Sequence, residues 1–257
     1  MYVWFYIKLR KGEGVMLFKY FERIHQLLTV VEQKEKEKIL LAAEKVAECI
    51  KQNGLVHIFG CGHSHLLAEE VFYRAGGLVP VKPILIEPLM LHEGAVRSSQ
   101  LEKQEGYVQM FLSEEAFGTN DVVFVISTSG CNPVPIDVAL LAKGKGAYVI
   151  GLTSLAYSTS LPARHSSGKR LAECVDLVLD NHSVEGDAIL SHPAVPVSFA
   201  PTSTVIGASM LHAIFAEATI RLANEGNVPP IFLSNHLPGG KEHNEKWMGK
   251  YQGRIHF

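Results

Sequence analysis

The chain predicts an α/β fold, a parallel sheet covered by helices on both faces, and three observations carry that expectation. Between residues 55 and 180, short apolar runs of strand length alternate with segments of helical period. One run, Val122–Ile126, is apolar at every position, the pattern of a strand buried on both faces. The runs at 55–59 and 122–126 each end in a glycine-containing polar loop that feeds a helix.

Each element follows in order. From Leu17 to Gln52, apolar residues recur at steps of three and four, broken by the charged stretch Glu32–Lys38 and stopped at Asn53-Gly54. This reads as two helices, or one bent helix, ahead of the first strand. Leu55–Phe59 is that strand, and a helix then runs through Arg74 to Gly76-Gly77. Val81–Ile86 is the second strand, and residues 88–106 form a polar connection containing Leu91-His92-Glu93-Gly94. Val108–Ala116 reads as helix and Thr119-Asn120-Asp121 as a turn into the central strand. Pro133, tolerated in a first helical turn, opens a helix through Lys143. Ala147–Leu152 and Cys174–Leu179 are further strands, with a short helix over Ser154–Leu161 between them. Asn181–Pro201, with three prolines, is expected to be a long loop; Thr202–Asn224 is a long helix. No linker marks a second domain. The expected organisation is a non-native or disordered extension over 1–15, with translation starting at Met16, then N-terminal helices over 16–53. A binding domain over 54–225 and a polar tail over 226–257, free to fold over a site as a lid, complete it.

Composition narrows the function. Of 257 residues, 47% are hydrophobic and 19% charged, enough apolar surface for a sizeable core. The formal net charge is −2, and no basic stretch is interleaved with aromatics, so a nucleic-acid partner is not expected. No apolar run approaches the ~20 residues of a membrane span. The four cysteines are scattered without a CxxC pair, which suits buried thiols in a reducing cytoplasm. The nearest approach to a metal pattern is Cys61, His63 and His65; no metal or cofactor is expected.

The loop Ser127-Thr128-Ser129-Gly130-Cys131-Asn132 is the most informative stretch. It joins the central strand to a helix N-terminus, where free N–H groups and the positive end of the helix dipole face outward. Capping that helix needs one of Ser127 or Asn132; four polar side chains exceed the need. An anion cradle, best suited to phosphate, accounts for all of them. Gly60-Cys61-Gly62-His63-Ser64 offers a second cradle at the same edge of a parallel sheet. Its Gly60-x-Gly62 invites a dinucleotide reading, with Glu87 where a ribose-binding acid belongs, but the third glycine position holds His65. Thr202-Ser203-Thr204 gives a third hydroxyl cluster able to face the same cleft.

Phe59–Ser64, Ile126–Pro133 and Ala147–Thr153 resemble the SIS (sugar isomerase) domain, a resemblance covering roughly residues 35–225. It implies a flavodoxin-like three-layer sandwich with a five-stranded parallel sheet, and a phosphorylated sugar as ligand. By position, Ser127, Thr128, Ser129 and Asn132 with Gly130 would hold the phosphate, with Ser64 and the Gly60–Gly62 backbone beside them. It also implies a homodimer with the N-terminal helices against the partner. The whole chain looks most like uncharacterised SIS proteins labelled phosphoheptose isomerase. Yet the catalytic glutamate of phosphoheptose isomerases falls on Arg74, and their Gln-Glu-x-His pattern on the stretch Ser203–Gly207, so that activity does not carry over.

An aldose–ketose isomerase needs a base to move a proton between adjacent carbons. Glu93, in a glycine-flanked loop at the carboxyl edge, is the first candidate base. His243 and His236 in the tail are candidate acids, whereas His212 sits among apolar helix positions. The expected function is binding and isomerisation of an aldose, ketose or amino-sugar phosphate. A non-catalytic phosphosugar sensor and an amino-sugar phosphate lyase or deaminase are the alternatives.

Overall fold

The computed structural model describes residues 15–113, 115 and 117–257. The expected extension at 1–15 lies outside these apart from Val15, as does Ala116 at the end of the expected helix 108–116.

Two helices, α1 (Met16–Lys34) and α2 (Lys36–Lys51), precede β1 (Val56–Gly60). The chain continues through α3 (His65–Val71), β2 (Val81–Ile84), α4 (Ala95–Leu101), α5 (Gln109–Leu112), β3 (Val122–Ile126) and α6 (Pro133–Gly144). Then come β4 (Tyr148–Thr153), α7 (Leu155–Ser160) and β5 (Leu177–Asp180), followed by β6 (Ala188–His192) and β7 (Val195–Pro201). The last helices are α8 (Ser203–Asn224) and α9 (Gly240–Tyr251).

Strands β1 to β5 form one parallel sheet in the order β2-β1-β3-β4-β5. Alternation along β3 sorts its side chains. Val122, Phe124 and Ile126 meet the core under α2, α3 and α8, while Val123 and Val125 meet the core under α6. The result is three layers, with the central strand buried at every position as its sequence requires. The 22-residue α8 is apolar and long enough to cross a membrane by length and composition. Here Ile206, Met210, Leu211, Ile214 and Phe215 bury its apolar side in the core against α2 and β3.

Several sequence expectations are corrected. Asn181–Pro201 is not a loop throughout: β6 and β7 make an antiparallel hairpin. Its prolines hid the strand pattern, but Pro196 and Pro201 sit in a hairpin standing apart from the main sheet, where a missing N–H costs little. The 88–106 connection contains α4, and α3 stops at Val71 instead of Arg74. Tyr73 has a φ of 43°, and its ring packs edge-on against Phe232, 5.1 Å between centroids, which draws the chain out of the helix. The tail is no lid in this chain. Phe232, Tyr251 and Ile255 bury against Leu55 and Val79, at the amino-terminal starts of β1 and β2. The tail therefore covers the edge opposite the glycine loops.

Candidate functional site

In a sheet ordered 2-1-3-4-5, the chain leaves β1 toward one side and β3 toward the other, opening a crevice at their carboxyl ends. Both glycine loops lie there, since Gly60 pairs with Ile126 in register at the last rung of the ladder.

The loop after β3 is held from behind. Ser127 N–H donates to Leu152 O at 3.0 Å, Thr128 O accepts from Ser154 N–H, and Gly130 O accepts from Leu171 N–H at 2.8 Å. Ser127 Oγ accepts from Gly130 N–H at 3.2 Å. Gly130 has a φ of 57°, and a Cβ there would stand 2.7 Å from Thr153 Oγ1 and 3.0 Å from Ser158 Oγ. What remains in front are the amides of Thr128, Ser129, Cys131 and Asn132, which donate to no acceptor among the described residues. The Thr128 and Ser129 hydroxyls are likewise uncommitted, and neither loop hydroxyl nor amide caps α6. Amides gathered around a left-handed glycine ahead of a helix N-terminus form an anion-binding concavity.

The loop after β1 is built similarly. Gly60 is required because a Cβ there would lie 2.5 Å from the backbone of Ser64, where the chain folds back over the strand. Gly62 has a φ of 55° with open space around it, and Ser64 makes no cap with its side chain. His65 is buried, its Nδ1 bonded to Gly62 O and its Nε2 3.5 Å from Glu69. The bond to Gly62 O rigidifies the loop.

Other sequence-selected residues fare differently. The Asn132 side chain is spoken for: Nδ2 donates to Glu102 Oε1 and Oδ1 accepts from Arg164, both at 2.9 Å. What Asn132 offers a ligand is its amide. Ser203 is corrected outright. Asp187 Oδ2 takes its hydroxyl at 2.6 Å, and Asp187 Oδ1 takes the amides of Thr202 and Ser203, so an internal carboxylate already occupies the N-terminus of α8. Thr204 lines a groove with Leu66, Glu69 and Glu70 between α3 and α8, and none of residues 127–132 lines it. Glu93 lies beyond the carboxyl end of β2, half exposed and 3.8 Å from His92, whose ring is 6.5 Å from that of His65. His243 is corrected: its Nε2 bonds Ile231 O at 2.8 Å within the tail, at the opposite edge of the sheet. His212 is not a core histidine but an exposed one, 3.1 Å from Glu70. Among the described residues no three His, Cys, Asp or Glu side chains converge as metal ligands, at Cys61 or elsewhere.

One residue at the crevice escaped sequence reasoning. Glu102, just past α4, touches Asn132 of one loop, and its charge raises the Cys61 thiol of the other, second to that thiol's own burial. Its carbonyl also accepts Val134 N–H at the start of α6. Burial pushes its carboxyl above the ordinary range, against the opposing pull of Lys103 and Arg164.

A doubly wound sheet with two glycine loops at its switch point defines a flavodoxin-like fold with a crevice at the carboxyl ends of β1 and β3. The SIS domain model matches residues 19–154, and the chain belongs to the SIS domain family. It is 59% identical over 240 residues to a UPF0309 protein of Halalkalibacterium halodurans, covering 93% of this chain and 96% of the relative. A UPF0309 protein of Listeria innocua is 50% identical over 240 residues, with 93% and 97% coverage. Among solved structures, the phosphoheptose isomerase of Francisella tularensis superposes with a TM-score of 0.51 at 17% identity, covering 79% of this chain and 96% of that one. The sugar isomerase domain of an RpiR transcription factor from Sphaerobacter thermophilus gives 0.50 at 14%, covering 91% and 97%. At these identities the likeness is one of fold.

Proposed function

We propose that this chain binds a phosphorylated sugar at the β1/β3 crevice and interconverts its aldose and ketose, or amino-sugar, forms. The observation that supports this best is the cradle itself, the uncommitted amides of Thr128, Ser129, Cys131 and Asn132 beside the free Thr128 and Ser129 hydroxyls. Such a set matches the oxygens of a phosphate. The Gly60–Ser64 loop faces it across the crevice and suits the sugar end, and the Arg164 guanidinium at its rim favours an anion's approach. Membership of a family whose solved relatives include a phosphoheptose isomerase supports the same reading.

The working unit in this proposal is a homodimer. Leu17, Phe18 and Phe21 on α1 are more than half exposed, and Phe18 and Phe21 line an apolar groove with Gln26 and Val30. A second copy seated there removes that surface from water. Light scattering on the purified protein reads this directly, and Phe21→Glu should shift a dimer to monomer.

The test of function is thermal unfolding against a panel of sugar phosphates, each with its unphosphorylated parent, followed by NMR for turnover. A ligand at a hundred times its Kd should stabilise by about 2.7 kcal/mol. No preference for phosphorylated forms defeats the reading, and binding without turnover favours a sensor, the role suggested by the transcription-factor neighbour.

A further inference from the structure

We propose that Glu102 is the catalytic carboxylate of this site, the group that carries a proton between the two carbons being interconverted. This rests on the reading of the crevice as a sugar-phosphate isomerase site. The geometry is specific. Glu102 Oε1 is pinned by Asn132 Nδ2 at 2.9 Å, and Asn132 contributes an amide to the phosphate cradle. The carboxylate therefore stands one side-chain length from the phosphate position, while its charge is felt by Cys61 in the facing loop. A sugar chain with its phosphate in the Thr128–Asn132 amides and its other end toward Gly60–Ser64 passes between these points. Glu102 Oε2 makes no hydrogen bond among the described residues and is left to meet it. The backbone is fixed too, through Val134 N–H to Glu102 O at 3.2 Å.

Its surroundings fit a base that must also release its proton. Asn132, Cys61, Lys103 and Arg164 surround it, and burial outweighs the two cations and raises its carboxyl above the ordinary range, the direction a group that must also carry the proton needs. Glu93, the residue the sequence favoured, is half exposed.

The step balances without any co-reactant. The carboxylate takes the proton from the carbon next to the carbonyl, and the C–H electron pair becomes the C=C bond of an enediol. The carbonyl π pair moves to its oxygen, which gains a proton. The new carboxylic acid then delivers its proton to the former carbonyl carbon as the neighbouring hydroxyl loses its own and becomes the new carbonyl. One hydrogen has moved between carbons and one between oxygens, with no net oxidation.

The experiment compares wild type with Glu102→Gln and Glu102→Asp, using the sugar phosphate that gives wild type its largest thermal shift. The amide oxygen introduced by Glu102→Gln can still accept from Asn132, so this variant keeps the loop in place and removes only the base. Glu102→Gln should keep the ligand-induced shift, lose exchange of the substrate's carbon-bound hydrogen in D2O, and lose about 10²- to 10⁴-fold in turnover. Glu102→Asp should recover part of the turnover, with an acid limb in its pH profile like that of wild type and absent from Glu102→Gln. Exchange and turnover within a few-fold of wild type in Glu102→Gln would overturn the assignment. So would joint loss of binding and turnover, which marks a residue that merely holds the loop. Wild type that binds but never exchanges the hydrogen also overturns it while leaving the binding reading intact. A wild type that binds no sugar phosphate removes the reading beneath it.

Discussion

Gly130→Ala is the sharpest probe of the cradle, because the structure gives its cost two separable parts. Gly130 has a φ of 57°, and an alanine in that conformation is strained by about 1–2 kcal/mol. The new methyl would also stand 2.7 Å from Thr153 Oγ1 and 3.0 Å from Ser158 Oγ. Thr153, the nearer of the two, does not yield easily. Thr153 is wholly buried and donates to Thr128 O, and Arg170 Nε is bonded to the Ser158 carbonyl. Overpacking of this kind adds about 1–3 kcal/mol. A total near 3 kcal/mol lowers Tm by about 6–12 °C in a chain of this size.

Gly62→Ala is the internal control. Its φ of 55° imposes the same backbone strain, but nothing lies within 4 Å of the added methyl. Its loss of stability should be roughly half that of Gly130→Ala, since only the strain contributes. Parallel thermal and urea unfolding, with and without saturating sugar phosphate, separates the two. Gly130→Ala should lose both stability and ligand response, because the Cys131 and Asn132 amides hang from that residue. Gly62→Ala should lose mainly ligand response, its methyl entering the open crevice. If Gly130→Ala unfolds within a degree or two of Gly62→Ala, the crowding behind the loop is not real and the reasoning fails.

The remaining predictions concern single side chains. Ser129→Ala removes one hydrogen bond to a charged ligand and should weaken sugar-phosphate affinity about ten- to 150-fold by calorimetry, with the fold intact. Asp187→Ala strips the cap from α8 and should cost about 1–2 kcal/mol in urea unfolding, leaving affinity at the cradle little changed. Asp121 is pushed up by burial, but bonds from His57 and from the Leu55 and Gly118 amides outweigh this and hold it below its usual value. Its stabilisation is present above the unfolded pKa and lost as pH falls through the lower folded one. Asp121→Ala leaves the His57 ring and the Leu55 and Gly118 amides without their acceptor and should destabilise by about 1–3 kcal/mol at neutral pH, with the gap to wild type closing in strong acid. Glu102 has the opposite sign. Its folded pKa is raised, so its contribution is full below the unfolded value of 4.5 and fades as pH rises through the folded one. Glu102→Gln should then gain Tm relative to wild type as pH climbs from 4.5 to neutrality; a constant difference across that range would refute it.

The parts of this molecule that were legible in the sequence are those decided by neighbours along the chain. Val122–Ile126 announced a strand buried on both faces, and every one of its residues is buried. The helices on either side of residue 35 followed from their apolar period, and Glu35 does divide them. What was misread depended on distant partners. Asp187 captures the hydroxyl of Ser203 from sixteen positions away, Glu102 and Arg164 turn the Asn132 side chain aside, and aromatic contacts with the tail end α3 early. No local pattern encodes such pairings. The tail looked like a lid because its apolar residues are spaced without period; they are nonetheless the ones that meet Leu55 and Val79.

The same distinction explains why the glycine loop could be read while the proposed base could not. A cradle of consecutive amides needs only one left-handed glycine between a strand and a helix, so residues 127–132 carry almost all of it. Its supporting bonds from Leu152, Ser154 and Leu171 hold the loop without changing its chemistry. An acid–base carboxylate is defined instead by what surrounds it. Glu102 is unremarkable in Leu101-Glu102-Lys103, and becomes a candidate only when α4 returns it to the crevice and α6 takes its carbonyl. Burial then raises its carboxyl above the ordinary range. A family that keeps the loop and changes the residues brought against it can hold the same phosphate while altering the reaction above it. The local element thus fixes what class of ligand is held, and the tertiary contacts decide what happens to it.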